Sequence, residues 1–122
     1  SACGEDAEAA RQSEPGPALP ALEARIDLVV KLIRRIHERV EENGGEFFVV
    51  TKPVEEDYRG NWRRADYQAV LARVKELGIE VVDVYAAGKS RNMTAEQLFI
   101  TFGHLSAAGN ELVAERVTEL IL

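Results

Sequence analysis

The sequence predicts an α/β domain with parallel strands. Apolar residues recur at three- and four-residue spacing over three long stretches, which is one face of a helix each time. Between those stretches lie two short runs, Glu46–Thr51 and Ile79–Val84, rich in β-branched and aromatic residues, the composition of strands. The order is helix, strand, helix, strand, short turn, helix, and such alternation joins strands in parallel with helices packed on the sheet.

Residues 1–20 read as a flexible leader or linker. They are rich in Ala, Glu, Gly, Ser and Pro, and Pro15, Pro17 and Pro20 interrupt any helix that the Ala/Glu run starts. Residues 21–122 carry the fold. In Ala21–Asn43 the residues Leu22, Ile26, Val29, Val30, Ile33, Ile36 and Val40 form one helical stripe. Gly44 is the expected stop, because a residue without Cβ enters the left-handed region at least cost. The run Phe47-Phe48-Val49-Val50 reads as a strand buried on both faces, and residues 53–61 as a polar loop. Asn61 is the candidate cap of a second helix, Trp62–Leu77, which Gly78 stops. The second strand follows, and residues 85–103 form a long connection. Within it Thr94 and Gln97 have capping-box spacing and predict one helical turn. Ser106 caps a last helix, Ala107–Ile121, whose stripe is Leu112, Val113, Val117, Leu120 and Ile121.

Composition excludes several function classes. Lys plus Arg is 15 and Asp plus Glu is 21, so the formal charge is 15 − 21 = −6. An acidic chain without a basic block argues against nucleic acid as a partner. Runs such as Phe47–Val50 are far too short to span a bilayer. The single cysteine, Cys3, rules out an internal disulfide framework and a cysteine-based zinc site. With two histidines, His37 and His104, no metal and no cofactor is expected.

The stretch with chemical content is Phe102-Gly103-His104-Leu105-Ser106-Ala107-Ala108-Gly109-Asn110. His104 stands two residues ahead of a helix cap, after a long loop that follows a parallel strand. Ligands of open α/β sheets bind beyond the carboxyl ends of the strands, and imidazole is the commonest general acid/base. His104-Leu105-Ser106-Ala107-Ala108-Gly109-Asn110 followed by an amphipathic helix resembles the histidine block of SGNH, or GDSL-type, hydrolases. The layout of residues 21–122 resembles the C-terminal half of that family. The resemblance implies a partial flavodoxin-like three-layer α/β/α fold. It also implies a serine esterase or acyl-transfer chemistry in which His104 is the general base, acting on a small-molecule or carbohydrate ester.

The rest of the family's machinery does not carry over. The family's aspartate position, three residues before the histidine, holds Thr101, and the position two before holds Phe102. No Gly-Asp-Ser nucleophile block occurs, nor do the Gly and Asn blocks of the oxyanion hole. Of the serines, Ser1 and Ser13 lie in the leader and Ser106 reads as a cap. Ser90 lacks the strand-turn-helix setting of an exposed nucleophile. Gly88-Lys89-Ser90 ends like a phosphate loop, but the upstream glycine pattern is missing.

Other residues have ordinary readings beside sharper ones. His37 reads as part of a solvated or half-buried helix face. Tyr58 and Trp62 line a cleft or, more often, anchor a loop on the core. Glu55, Glu56 and Asp57 are a cation site or a solvated acidic loop. Asp83 is a substitute acid or a structural residue at a strand end.

Two strands are too few for a complete sheet, and the sequence begins at Ser1 rather than Met. The expectation is that further strands come from upstream or from a partner chain, and that the isolated 122 residues are inactive. The alternative is a non-catalytic α/β interaction module descended from the same fold, whose open sheet edge pairs with a partner or a second copy. Ser1-Ala2-Cys3-Gly4 also resembles the processed end of a bacterial lipoprotein, which implies an extracytoplasmic chain anchored through Cys3.

Overall fold

The computed structural model describes residues 21–122. The expected leader, with Cys3, Ser1 and Ser13, lies outside the described residues. Helix α1 spans Leu22–Glu42 and ends as the sequence predicts. Gly44 takes φ +77° and donates to the Glu41 carbonyl at 2.9 Å. The stripe is narrower than expected. Val30 is buried and Ile26, Ile33 and Val40 are half-buried, whereas Leu22, Val29 and Ile36 are exposed. The reason is geometric: one helix, α3 (Ala65–Glu76), packs along α1, and it covers only the residues aimed at it. Asp27 of α1 pairs with Arg73 of α3 at this contact.

Strands β1 (Phe48–Thr51) and β2 (Glu80–Asp83) pair in parallel, with Phe48 opposite Glu80 and Thr51 opposite Asp83. The result is a mixed α/β chain, mostly helical, with a two-stranded parallel sheet. Two strands do not establish the expected flavodoxin-like three-layer arrangement. β1 is not buried on both faces either, since Val50 stays 43% exposed.

The expected polar loop 53–61 contains a helix, α2 (Glu55–Arg59). Three carboxylates occupy its first turn, where the helix dipole favours negative charge, and its Tyr58 is fully buried. α3 starts at Ala65, not Trp62. Asn61 is no cap: it takes φ +57°, a region asparagine tolerates better than most residues. The second strand ends at Asp83, and the chain turns directly into α4 (Val84–Ser90) where a long connection was expected. Asp83 Oδ1 accepts the Ala86 N–H at 3.1 Å and so caps that helix.

The expected turn at Thr94 forms as α5 (Ala95–Leu98), with both capping-box hydrogen bonds present, Gln97 N to Thr94 Oγ1 at 3.2 Å and Thr94 N to Gln97 Oε1 at 2.8 Å. α6 spans Ala107–Ile121, and Ser106 Oγ accepts the Gly109 N–H at 3.0 Å. Of its expected stripe, Leu112 is buried, Val113 and Val117 are half-buried, and Leu120 and Ile121 are exposed at the free end.

The main core lies between β2, α2, α4, α5 and α6. Tyr58, Val82, Val84, Leu98, Phe99 and Leu112 meet there. The Tyr58 ring meets Tyr85 and Phe99 edge-on, at centroid distances of 5.5 and 5.7 Å. Its hydroxyl donates to the Met93 carbonyl at 2.6 Å, so the buried phenol is satisfied.

Candidate functional site

His104 sits on a short loop whose ends are held tightly. Phe99 and Leu105 form an antiparallel bridge, Ile100 N donates to the His104 carbonyl at 2.7 Å, and Ser106 N donates to the Leu98 carbonyl at 2.9 Å. Between these ties runs a 3₁₀ turn, Thr101–Gly103. Lys52, the first residue after β1, donates from Nζ to the Gly103 carbonyl at 2.9 Å. That bond places the loop over the carboxyl end of β1, the edge where α/β sheets bind ligands.

The residues around His104 divide by what occupies them. Leu105 packs against the core. Ser106 caps α6, and its hydroxyl also donates to the Gln97 carbonyl. Gly109 is required sterically, because a Cβ there would stand 2.5 Å from the Leu98 carbonyl oxygen. His104 has no such task. It is exposed, and its ring makes no hydrogen bond or ion pair among the described residues.

Thr101 and Phe102 are exposed too. Phe102 is 92% exposed and adopts φ +63°, a strained region for an aromatic residue. Thr101, at the expected acid position, has a hydroxyl and cannot offer the negative charge that stabilises an imidazolium. The described residues therefore bring one base to this edge without a paired carboxylate or a serine nucleophile.

The other sequence candidates lie elsewhere. Ser90 ends α4 and donates to the Ala87 carbonyl at 2.9 Å. Lys89 is no phosphate-loop lysine. It lies in the same helix, 3.9 Å from the Tyr58 ring centroid, and donates to the Tyr58 carbonyl at 2.7 Å. Asp83 pairs with Arg63 while capping α4. Glu55 and Asp57 pair with Arg59 and Arg64 at 3.0 and 3.2 Å, so these two carboxylates are already neutralised. No cluster of metal-ligating side chains occurs among the described residues. His37 bonds Glu41 at 2.8 Å and stacks on Phe47 at 5.6 Å. No described helix is long and apolar enough to cross a membrane.

Tyr58 and Trp62 part company, the first in the core and the second 55% exposed. Trp62 lines a cavity of about 380 Å³ beside the carboxyl end of β1. His104 is not among the residues lining it, and Lys52 connects the two places. Sequence reasoning missed Lys52, Arg63 and Tyr67 here. The position of Lys52 directly after a parallel strand was the available signal. Arg63 lies 4.8 Å from the Tyr85 ring centroid and 5.6 Å from that of Tyr67. Burial pushes the Tyr67 phenol above its usual range, outweighing the nearby Thr51 hydroxyl and Arg63 guanidinium, which lower it.

Comparison of the chain with protein-family models, with curated proteins and with solved structures gives no significant match.

Proposed function

We propose that residues 21–122 are the histidine-bearing part of an SGNH/GDSL-type ester hydrolase or acyl-transfer enzyme, with His104 as general base. The observation that supports this reading most is the division of labour in the block from His104 to Gly109. Cap, core contact and close approach account for Leu105, Ser106 and Gly109, while the imidazole is held at the ligand edge with no structural use. In this reading the two strands belong to the larger sheet of a three-layer α/β/α fold. The nucleophile and oxyanion donors come from outside these residues.

The chemistry assigned to His104 is proton transfer. The imidazole takes the proton of a serine hydroxyl as its oxygen attacks the ester carbonyl carbon. The imidazolium returns that proton to the departing alcohol oxygen as the C–O bond breaks, leaving an acyl-enzyme. Water then repeats the sequence and releases the acid. Thr101 leaves the imidazolium without its usual carboxylate, and loss of that charge costs about ten-thousand-fold in the Ser-His-Asp template. A slow enzyme, or one with its acid on another segment, follows.

The test is hydrolysis of p-nitrophenyl acetate. The isolated 122-residue chain should match its His104→Ala variant, and a chain extended upstream through a Gly-Asp-Ser block should hydrolyse the ester in a His104-dependent way. A His104-dependent burst from the isolated chain overturns the split of the machinery. Activity of the extended chain that survives His104→Ala overturns the role of His104. A second reading, a non-catalytic interaction module, is favoured by Thr101 in place of an acid, and it predicts no hydrolysis in either length.

A further inference from the structure

We infer that the cavity between α1, α3 and the segment after β1 is a binding site for a small aliphatic carboxylate. The site is separate from His104 and does not rest on the hydrolase reading. Its volume, about 380 Å³, is in the range of small-molecule pockets. Four exposed large apolar residues converge on it: Leu22 (49%), Val29 (43%), Val54 (47%) and Trp62 (55%). They come from three separate segments, and apolar surface gathered from several segments onto one concavity marks a binding site more than scattered exposure does.

Charge selects the ligand's head group. Arg25, Lys52, Arg63 and Arg64 line the cavity against Asp57 and Asp66. Asp57 pairs with Arg64, and Arg63 is neutralised by Asp83. Asp66 accepts the Tyr67 N–H at 2.9 Å. Arg25 and Lys52 make no ion pair among the described residues, and the Lys52 ammonium reaches only the Gly103 carbonyl. Asp66 keeps its charge, so Arg25 and Lys52 leave the lining one positive charge in excess among the described residues, and a cationic excess beside apolar walls favours an anion that also has an apolar body. Aliphatic side chains dominate those walls, with Ile26 and Val70 joining Leu22, Val29 and Val54, and a saturated chain fits them.

Trp62 is the only tryptophan, so its fluorescence reads the site directly. Titrate the protein with octanoate, with octanol of equal chain length, and with acetate, the head group alone. Octanoate should change the Trp62 signal saturably with one site per chain, octanol should bind about tenfold more weakly, and acetate should not bind. An Arg25→Gln, Lys52→Gln double variant should lose about tenfold for octanoate and nothing for octanol. Because the cavity stands apart from the catalytic reading, His104→Ala should keep the octanoate affinity whatever the esterase assay shows. Equal binding of octanol and octanoate, unchanged octanoate binding in the double variant, or no saturable response overturns the inference.

Discussion

The two sides of this small sheet are finished to different degrees. On one, α6, α5, α4 and α2 close over β2, and Tyr58, Val84, Leu98 and Leu112 are each at most 1% exposed. On the other, α1 spends 21 residues to bury Val30 alone, with Leu28, Leu32 and Ile36 more than half exposed. An apolar stripe without a partner gains nothing from burial. Leu71, Val74 and Ile79 are also buried, outside the main core, while α1 keeps much of its apolar surface available.

A matched pair of truncations separates the two sides most widely. Leu112→Ala should cost about 2–5 kcal/mol in urea unfolding, the range for a large buried aliphatic residue. Leu32→Ala, on the exposed stripe, should stay within about 0.5 kcal/mol. Similar costs would mean that α1 is covered in solution.

A smaller effect tests how tightly α6 sits against α5. Gly109→Ala should destabilise by about 1–3 kcal/mol although alanine is the better helix former by about 1 kcal/mol. Its Cβ would meet a backbone carbonyl that cannot move aside. A stabilised variant would show that the close approach is absent.

The smallest effect is a pH limb. Burial raises the Tyr58 phenol, helped by Tyr85, and it raises that of Tyr67. A folded-state pKa above the unfolded one gives stability that is full below about pH 10 and is lost as pH rises through the folded value. The urea midpoint should thus fall on the alkaline side. Tyr67→Phe should flatten part of that fall at little cost near neutral pH, because its hydroxyl has no hydrogen-bond partner among the described residues.

Much of this was legible in the sequence where the signal is local. Gly44, the Thr94–Gln97 capping box and the Ser106 cap each depend on residues within one turn, and each forms as read. The errors came where two local signals overlap. Val84-Tyr85 continues a β-branched and aromatic run, yet the Asp83 cap and Ala86-Ala87 turn it into helix. In α2 the acidic first turn after Pro53 is a helix-start signal that the polarity of residues 53–61 masks. The position of His104 at the sheet edge was readable from order alone. The cavity was not, because Arg25, Lys52, Trp62 and Val70 stand far apart in the chain and only packing brings them together.

Leu105, Ser106 and Gly109 serve structure, and we propose that His104 beside them serves chemistry. The direct measurement is fluorophosphonate labelling and urea unfolding of His104→Ala beside the wild type, in the protein at its native length. Labelling should fall by about a thousandfold or more, and the unfolding free energy should change by less than about 0.5 kcal/mol. A stable variant that labels as fast as the wild type would contradict the account, as would a variant that loses its fold with its labelling.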